Sequence, residues 1–348
     1  MDYLTVFTVS ICLCVVLNSA NVLAQAERLS GKRQTTEITE QAKRLLESGK
    51  TDAAIELLNS APKAASADPQ VSRLRGLAYY QKRDYARAID SVSAGLTPTS
   101  KGADDYPQAV QILGLSHYLL GHHREAIPNL EQTLHFRPES VEIAYALGVC
   151  YIQTRNLNKS RDAFARMFKI SPSSAPAYLI NAQMMVHQQF EELAEQELNR
   201  ALALDPNLPQ AYFLLGELAI FHADIERGIT LLQKEIEINP AFAMAYYRLG
   251  EAYTRQLKLD EAIAPLQKAV WLNPNFSGPY IVLGKVYLKK SDLQNAEGML
   301  RRATQMDPNN FSAHHLLAQV LQRANRLDEA RREFELAEKL RTSADKDQ

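Results

Sequence analysis

The chain has 348 residues, with 39 Lys and Arg against 40 Asp and Glu. A balance that close gives no general attraction to nucleic acid or to an anionic membrane surface. Apolar residues make up 46% of the chain, enough to bury a continuous core, and its sparse glycine leaves loops short.

The first 24 residues differ in kind from the rest. Leu4 to Leu17 is apolar except for Thr5, Thr8 and Ser10, and Val22-Leu23-Ala24 follows. An apolar run of this length ending in a Val-x-Ala triplet fits a signal peptide better than a membrane span. Residues 1–24 are therefore expected to be a leader, cleaved near Ala24, and the mature chain to be exported (periplasmic or secreted). The alternative is an uncleaved membrane anchor over residues 4–24, because Asp2 stands where a positive charge is usual. Ile11 before Cys12 and Leu13 before Cys14 argue against lipid attachment, which needs a small residue there. Cys150 alone would then remain, which excludes an intramolecular disulfide. Residues 25–34 are expected to form a short linker.

Beyond it the chain repeats every 34 residues. Gly114, Gly148, Ala182, Gly216, Gly250, Gly284 and Ala318 keep that interval, as do Pro138, Pro172, Pro206, Pro240, Pro274 and Pro308. Such phase marks stacked copies of one supersecondary unit. Nine units fit: 35–68, 69–106, 107–140, 141–174, 175–208, 209–242, 243–276, 277–310 and 311–344, with four extra residues between Thr97 and Tyr106 and a polar tail at 345–348. Positions 8 and 20 are small in every unit, as two closely crossing helices require. In the seventh, Tyr246, Leu249, Gly250 and Tyr253 mark one face of a first helix, and Leu259, Ala262, Ile263, Leu266 and Ala269 one face of a second. Pro274 then ends that helix. Pro128 and Pro265 fall early inside second helices, where a lost hydrogen bond and a slight kink are expected.

The pattern resembles the tetratricopeptide repeat family. An aromatic at position 4 (Tyr178, Tyr212, Tyr246, Tyr280), Leu at 7, small residues at 8 and 20, Tyr at 11 and Pro at 32 carry the match from about Thr35 to Thr342. The resemblance implies an all-α fold: a right-handed α-solenoid of about nine helix-turn-helix units, whose first helices line a concave groove. Positions 2, 5, 9, 12 and 13 would then face that groove. Tyr145, Val149, Leu179, Phe213 and Tyr247 would make its middle apolar, and Arg255, Lys285, Lys289 and Arg323, against Glu251, its C-terminal end basic. Such a groove suits an extended or helical peptide with a carboxylate or acidic side chains. The clamp by which some family members grip chaperone C-termini needs Lys at position 5 and Asn at 9. The pairs here read Gln111 and Leu115, Tyr145 and Val149, Leu179 and Gln183, so that function is not carried over.

No catalytic residues, cofactor or metal are assigned. The chain lacks a phosphate-binding glycine loop, a G-x-S-x-G elbow and an H-E-x-x-H pair. His117, His122 and His123 cluster without completing a zinc ligand set. His314, Cys150 and Trp271 are read as packing residues. The expected function is that of an exported, non-enzymatic scaffold that binds a partner peptide or helix in the groove, with no nucleic acid as partner and membrane contact only through an uncleaved leader. The alternative is a self-associating structural protein, pairing through its C-terminal edge, or an accessory subunit of an envelope, secretion or transferase complex.

Overall fold

The computed structural model describes residues 31–97 and 101–344, which divide along the chain into two compact units, one ending at Pro172 and the other beginning at Ser173. The expected leader with its Ala24 site, residues 25–30 of the linker and the tail at 345–348 lie outside the described residues. Residues 31–34, also expected in the linker, are helical. All regular structure among the described residues is helical.

The first unit contains α1 (31–47), α2 (Thr51–Asn59), the short α3 (Lys63–Ser66), α4 (Pro69–Gln81), α5 (Tyr85–Gly95), α6 (Tyr106–Leu119), α7 (His123–Phe136), α8 (Val141–Gln153) and α9 (Leu157–Phe168). Helices pair as α4 with α5, α6 with α7 and α8 with α9, and each pair packs on the next. Buried Arg73 secures the irregular stretch after α5. It donates from Nη1 to the Gly95 carbonyl at 2.8 Å and from Nε to Asp105 at 2.9 Å.

The second unit contains α10 (Ala175–His187), α11 (Glu191–Leu204), α12 (Ala211–Phe221), α13 (Ile225–Ile238), α14 (Ala243–Arg255), α15 (Leu259–Leu272), α16 (Ser277–Lys289), α17 (Leu293–Met306), α18 (Phe311–Arg323) and α19 (Leu327–Ala344). These pair in the same way, and the first helices α12, α14, α16 and α18 also touch in succession.

Three local features explain the repeat. First, a β-carbon added at Gly250 would lie 2.4 Å from Leu266 Cγ, and one at Gly148 would lie 2.5 Å from Phe164 Cζ. Position 8 must be small because the fully buried residue at position 24 of the second helix occupies that space. Second, the turn between the two helices places position 15 in the left-handed region in all nine copies: Gly49, Arg83, Gly121, Arg155, Gln189, Ala223, Leu257, Ser291 and Asn325. The next amide reaches back five residues, as from Lys258 to the Tyr253 carbonyl at 3.0 Å, and closes the first helix. Third, the side chain at position 4 can bind the proline carbonyl of the preceding unit. Tyr280 Oη donates to Pro274 at 3.2 Å, and His314 Nε2 meets the Pro308 carbonyl at 3.0 Å.

Helices α7 and α15 run through Pro128 and Pro265 unbroken. Each proline lies past the first four residues of its helix, where amides are already paired within the helix, so each forfeits one internal hydrogen bond without ending the helix. The start of α12 is unusual. Gln210 is left-handed (φ 71°), and its amide donates to the fully buried Glu235 carboxylate at 2.7 Å while the Phe213 amide donates to the same group at 3.2 Å. Burial raises the Glu235 pKa, and the two amides partly oppose that shift.

Candidate functional site

In the second unit a cleft of about 360 Å³ opens between α10, α12 and α14. Val186, Leu214, Ile220 and Phe221 give it apolar walls, and Arg248, Glu217, Glu251 and Arg255 a polar side. The period of the helix turns these residues outward: they stand at positions 6, 9, 12 and 13, whereas positions 7, 8 and 11 face the second helices. Phe221 is 72% exposed, which for an aromatic ring at the lip of a cleft leaves a contact surface open. Arg248 is fixed between two carboxylates, with Nε 2.8 Å from Glu217 and Nη1 2.7 Å from Glu251. Its guanidinium also stands 5.4 Å from the Tyr247 ring centroid. Burial, with Glu251 adding to it, pushes Tyr247 up to about 12, so its hydroxyl keeps its proton.

The residues named from sequence separate into two kinds. Leu179 and Phe213 are buried. The Phe213 ring meets Phe242 edge-on at 5.0 Å, and Tyr247 meets Phe276 in the same way at 4.9 Å. An aromatic at position 34 thus folds back on position 5, so these rings are largely taken up by packing rather than presented to a partner. Tyr145 belongs to the first unit, on α8, where it is partly exposed and packs edge-on against Phe164 at 6.2 Å. Arg255, Lys285, Lys289 and Arg323 are all exposed, and none makes an ion pair among the described residues. Arg323 donates to the Leu288 carbonyl at 3.1 Å.

Sequence reasoning missed Phe221, Ile220, Leu214, Val186, Glu217 and Arg248. Most of them stand at groove positions 9, 12 and 13, so reading those rows through every unit would have found them. Leu214 and Arg248 stand at position 6, which the groove template omits.

The first unit has a cavity of about 430 Å³ on the side of the second helices α7 and α9, and another of about 790 Å³ on α1 beside Thr36, Glu40 and Arg44. In the former, Lys159 pairs with Glu131 at 2.9 Å, and the Tyr151 hydroxyl donates to the same carboxylate. Glu131, Lys159 and Tyr151 are therefore already committed to one another.

The remaining chemical candidates are structural. The His117 and His122 rings lie tilted with centroids 5.7 Å apart and His123 Nδ1 lies 3.7 Å from Cys150 Sγ, yet no metal-binding group of three His, Cys, Asp or Glu occurs among the described residues. Burial pushes the Cys150 thiol up to about 12, which leaves it unreactive. His314 is buried and bridges Pro308 and Glu333 (2.6 Å), a polar role where packing alone was expected. Trp271, also expected to close packing, is exposed instead, with Lys268 Nζ 3.9 Å from its ring centroid. It sits on the outer side of α15 near the helix end, where a cation over the ring offsets its exposure.

Tetratricopeptide repeat profiles match residues 39–103, 118–184, 243–276 and 287–342, together more than half of the chain. The chain belongs to the tetratricopeptide repeat family, and its fold is that of a protein–protein interaction scaffold. No curated protein matches it. Similar solved structures include MamA from Desulfovibrio magneticus RS-1, 22% identical over 49% of this chain and 96% of that one, with a TM-score of 0.45. PilF of Pseudomonas aeruginosa is 20% identical over 57% of this chain and 90% of that one, with a TM-score of 0.47. The Cut9–Hcn1 hetero-tetramer is 17% identical over 81% of this chain and 54% of that one, with a TM-score of 0.44.

Proposed function

We propose that this protein is an exported, non-enzymatic scaffold that captures a segment of a partner protein in the cleft of its second unit. The observation that carries the reading is the exposed Phe221 beside an arginine already neutralised by two carboxylates. A hydrophobic anchor flanked by a fixed polar network is the arrangement that concentrates binding energy in a few residues. Export rests on the apolar stretch at 4–17 and the Val22-Leu23-Ala24 triplet. It predicts a mature N-terminus just after Ala24, which N-terminal sequencing of protein from its native cell reads directly. For the cleft, a photo-crosslinking residue at position 221 should trap a partner in the cell, whereas one at position 271 on α15 should not. Equal trapping at both positions would remove the cleft from the proposal.

A second reading is self-association through the last helix pair, favoured by the exposure of Leu327 and Leu336 on α19. Light scattering separates the two, because a monomer at all concentrations leaves only the scaffold.

A further inference from the structure

The second unit holds cations that its own acids do not neutralise, and they form a row. Arg255, Lys289 and Arg323 are the last residues of α14, α16 and α18, three first helices in successive contact. Lys285 stands one turn earlier on α16. Arg255 lines the Phe221 cleft, and the hydrogen bond from Arg323 to Leu288 brings the last two members of the row together. Of the acids nearby, Glu217 and Glu251 are engaged with Arg248, Glu226 with Lys258 and Asp260 with Lys290, whereas Glu191 of the cleft lining makes no ion pair among the described residues. A cation at a helix C-terminus is favoured by the helix dipole, which accounts in part for three of the four. Lys285 lies within its helix, where the dipole gives no such reason.

We infer that the partner segment is acidic. Resting on the reading of the cleft given above, it places an apolar side chain against Phe221 and carboxylates along Arg255, Lys289 and Arg323. An extended chain crossing neighbouring first helices meets one of these cations per repeat, so its acids are spaced and not clustered. The Glu217 and Glu251 carboxylates beside Phe221 disfavour a polyanion such as nucleic acid, whose closely spaced phosphates they would repel. The near-neutral charge of the whole chain disfavours it too, since a nucleic-acid surface needs a broader cationic field.

The test uses the purified full chain and three fluorescein-labelled peptides of about 14 residues, each with one leucine in a serine-rich background and with Glu, Gln or Lys at the same spaced sites. Fluorescence anisotropy should show the Glu peptide binding about tenfold more tightly than the Gln peptide at low salt, with the gap closing at high salt. The triple variant Arg255→Glu, Lys289→Glu, Arg323→Glu, with an unchanged circular dichroism spectrum, should prefer the Lys peptide. Equal affinity for the Glu and Gln peptides overturns the acidic assignment, as does a preference that survives charge reversal. So does displacement of the Glu peptide by a single-stranded oligonucleotide or an anionic vesicle at lower concentration than by unlabelled Glu peptide. Phe221→Asp separates the two levels of the argument. If it weakens all three peptides while charge makes no difference, only the acidic assignment falls. If it weakens none, or if no peptide binds at all, the cleft falls with it.

Discussion

The pair α8–α9 of the first unit and the pair α14–α15 of the second are made from the same repeat yet open on different helices. In the first, α8 is buried almost all round, with Ile143 through Ile152 inaccessible except at Tyr145, and the cavity lies instead toward α7 and α9. In the second, α14 buries only Ala245, Leu249, Gly250, Ala252 and Thr254 and turns Arg248, Glu251 and Arg255 outward. The residues that hold each pair together are nearly interchangeable between the units. Those at positions 9, 12 and 13 are not: Val149, Ile152 and Gln153 in α8 correspond to Glu251, Thr254 and Arg255 in α14. A repeat can vary these positions without loosening its frame, so differences there carry the functional information.

If the frame is equivalent in both units, its removal should cost each about the same. Phe164→Ala in the first unit empties the space against Gly148 and should destabilise by about 3–5 kcal/mol, and Leu266→Ala against Gly250 in the second by about 2–5 kcal/mol. Both side chains are fully buried. In a stack held by nearest neighbours each loss stays local. Hydrogen exchange should therefore quicken in the first unit for Phe164→Ala and in the second for Leu266→Ala. Uniform quickening in both units would show that they unfold together and that the comparison has no energetic content.

The position-15 turn shows both how far the sequence could be read and where reading failed. The helix pairs, their small crossing residues and their proline stops are written in a 34-residue rhythm, because packing at positions 8, 20 and 24 constrains side-chain size directly. The left-handed turn leaves no such mark. Only Gly49 and Gly121, both in the first unit, have the residue that this backbone favours, whereas the second unit uses Gln189, Ala223, Leu257, Ser291 and Asn325. The closing backbone bond holds the conformation whatever the side chain, so composition conceals it. The packing of the groove rings is hidden for a related reason: the Phe242 and Phe276 rings that meet Phe213 and Tyr247 stand outside the pattern of groove positions. The turn also gives a graded comparison. Gly121→Ala should lose about 1 kcal/mol, and Ala223→Gly should gain up to about 1 kcal/mol, measured by urea unfolding. Changes of the same sign would mean that the turn is not equivalent in the two units.

The smallest expected difference is one of pH. In the first unit the Tyr151 hydroxyl, and after it Lys159, holds the Glu131 carboxyl below its ordinary value of 4.5. A depressed acid contributes stability that is complete above the unfolded value and is lost as pH falls through the folded one. In the second unit burial holds Glu235 above 4.5. There the folded state binds the proton more tightly than the unfolded chain, so stability rises as pH falls from neutral through the raised value toward 4.5. The two acids thus give slopes of opposite sign. Wild type compared with Glu131→Gln should lose its advantage on acidification below 4.5, whereas wild type compared with Glu235→Gln should improve as pH drops toward that value. Because Glu131 is partly exposed, solvent screening keeps its share small. Urea titrations across that range decide the matter, and parallel slopes for the two variants would mean that Glu235 is solvated and does not serve as the buried acceptor at the start of α12.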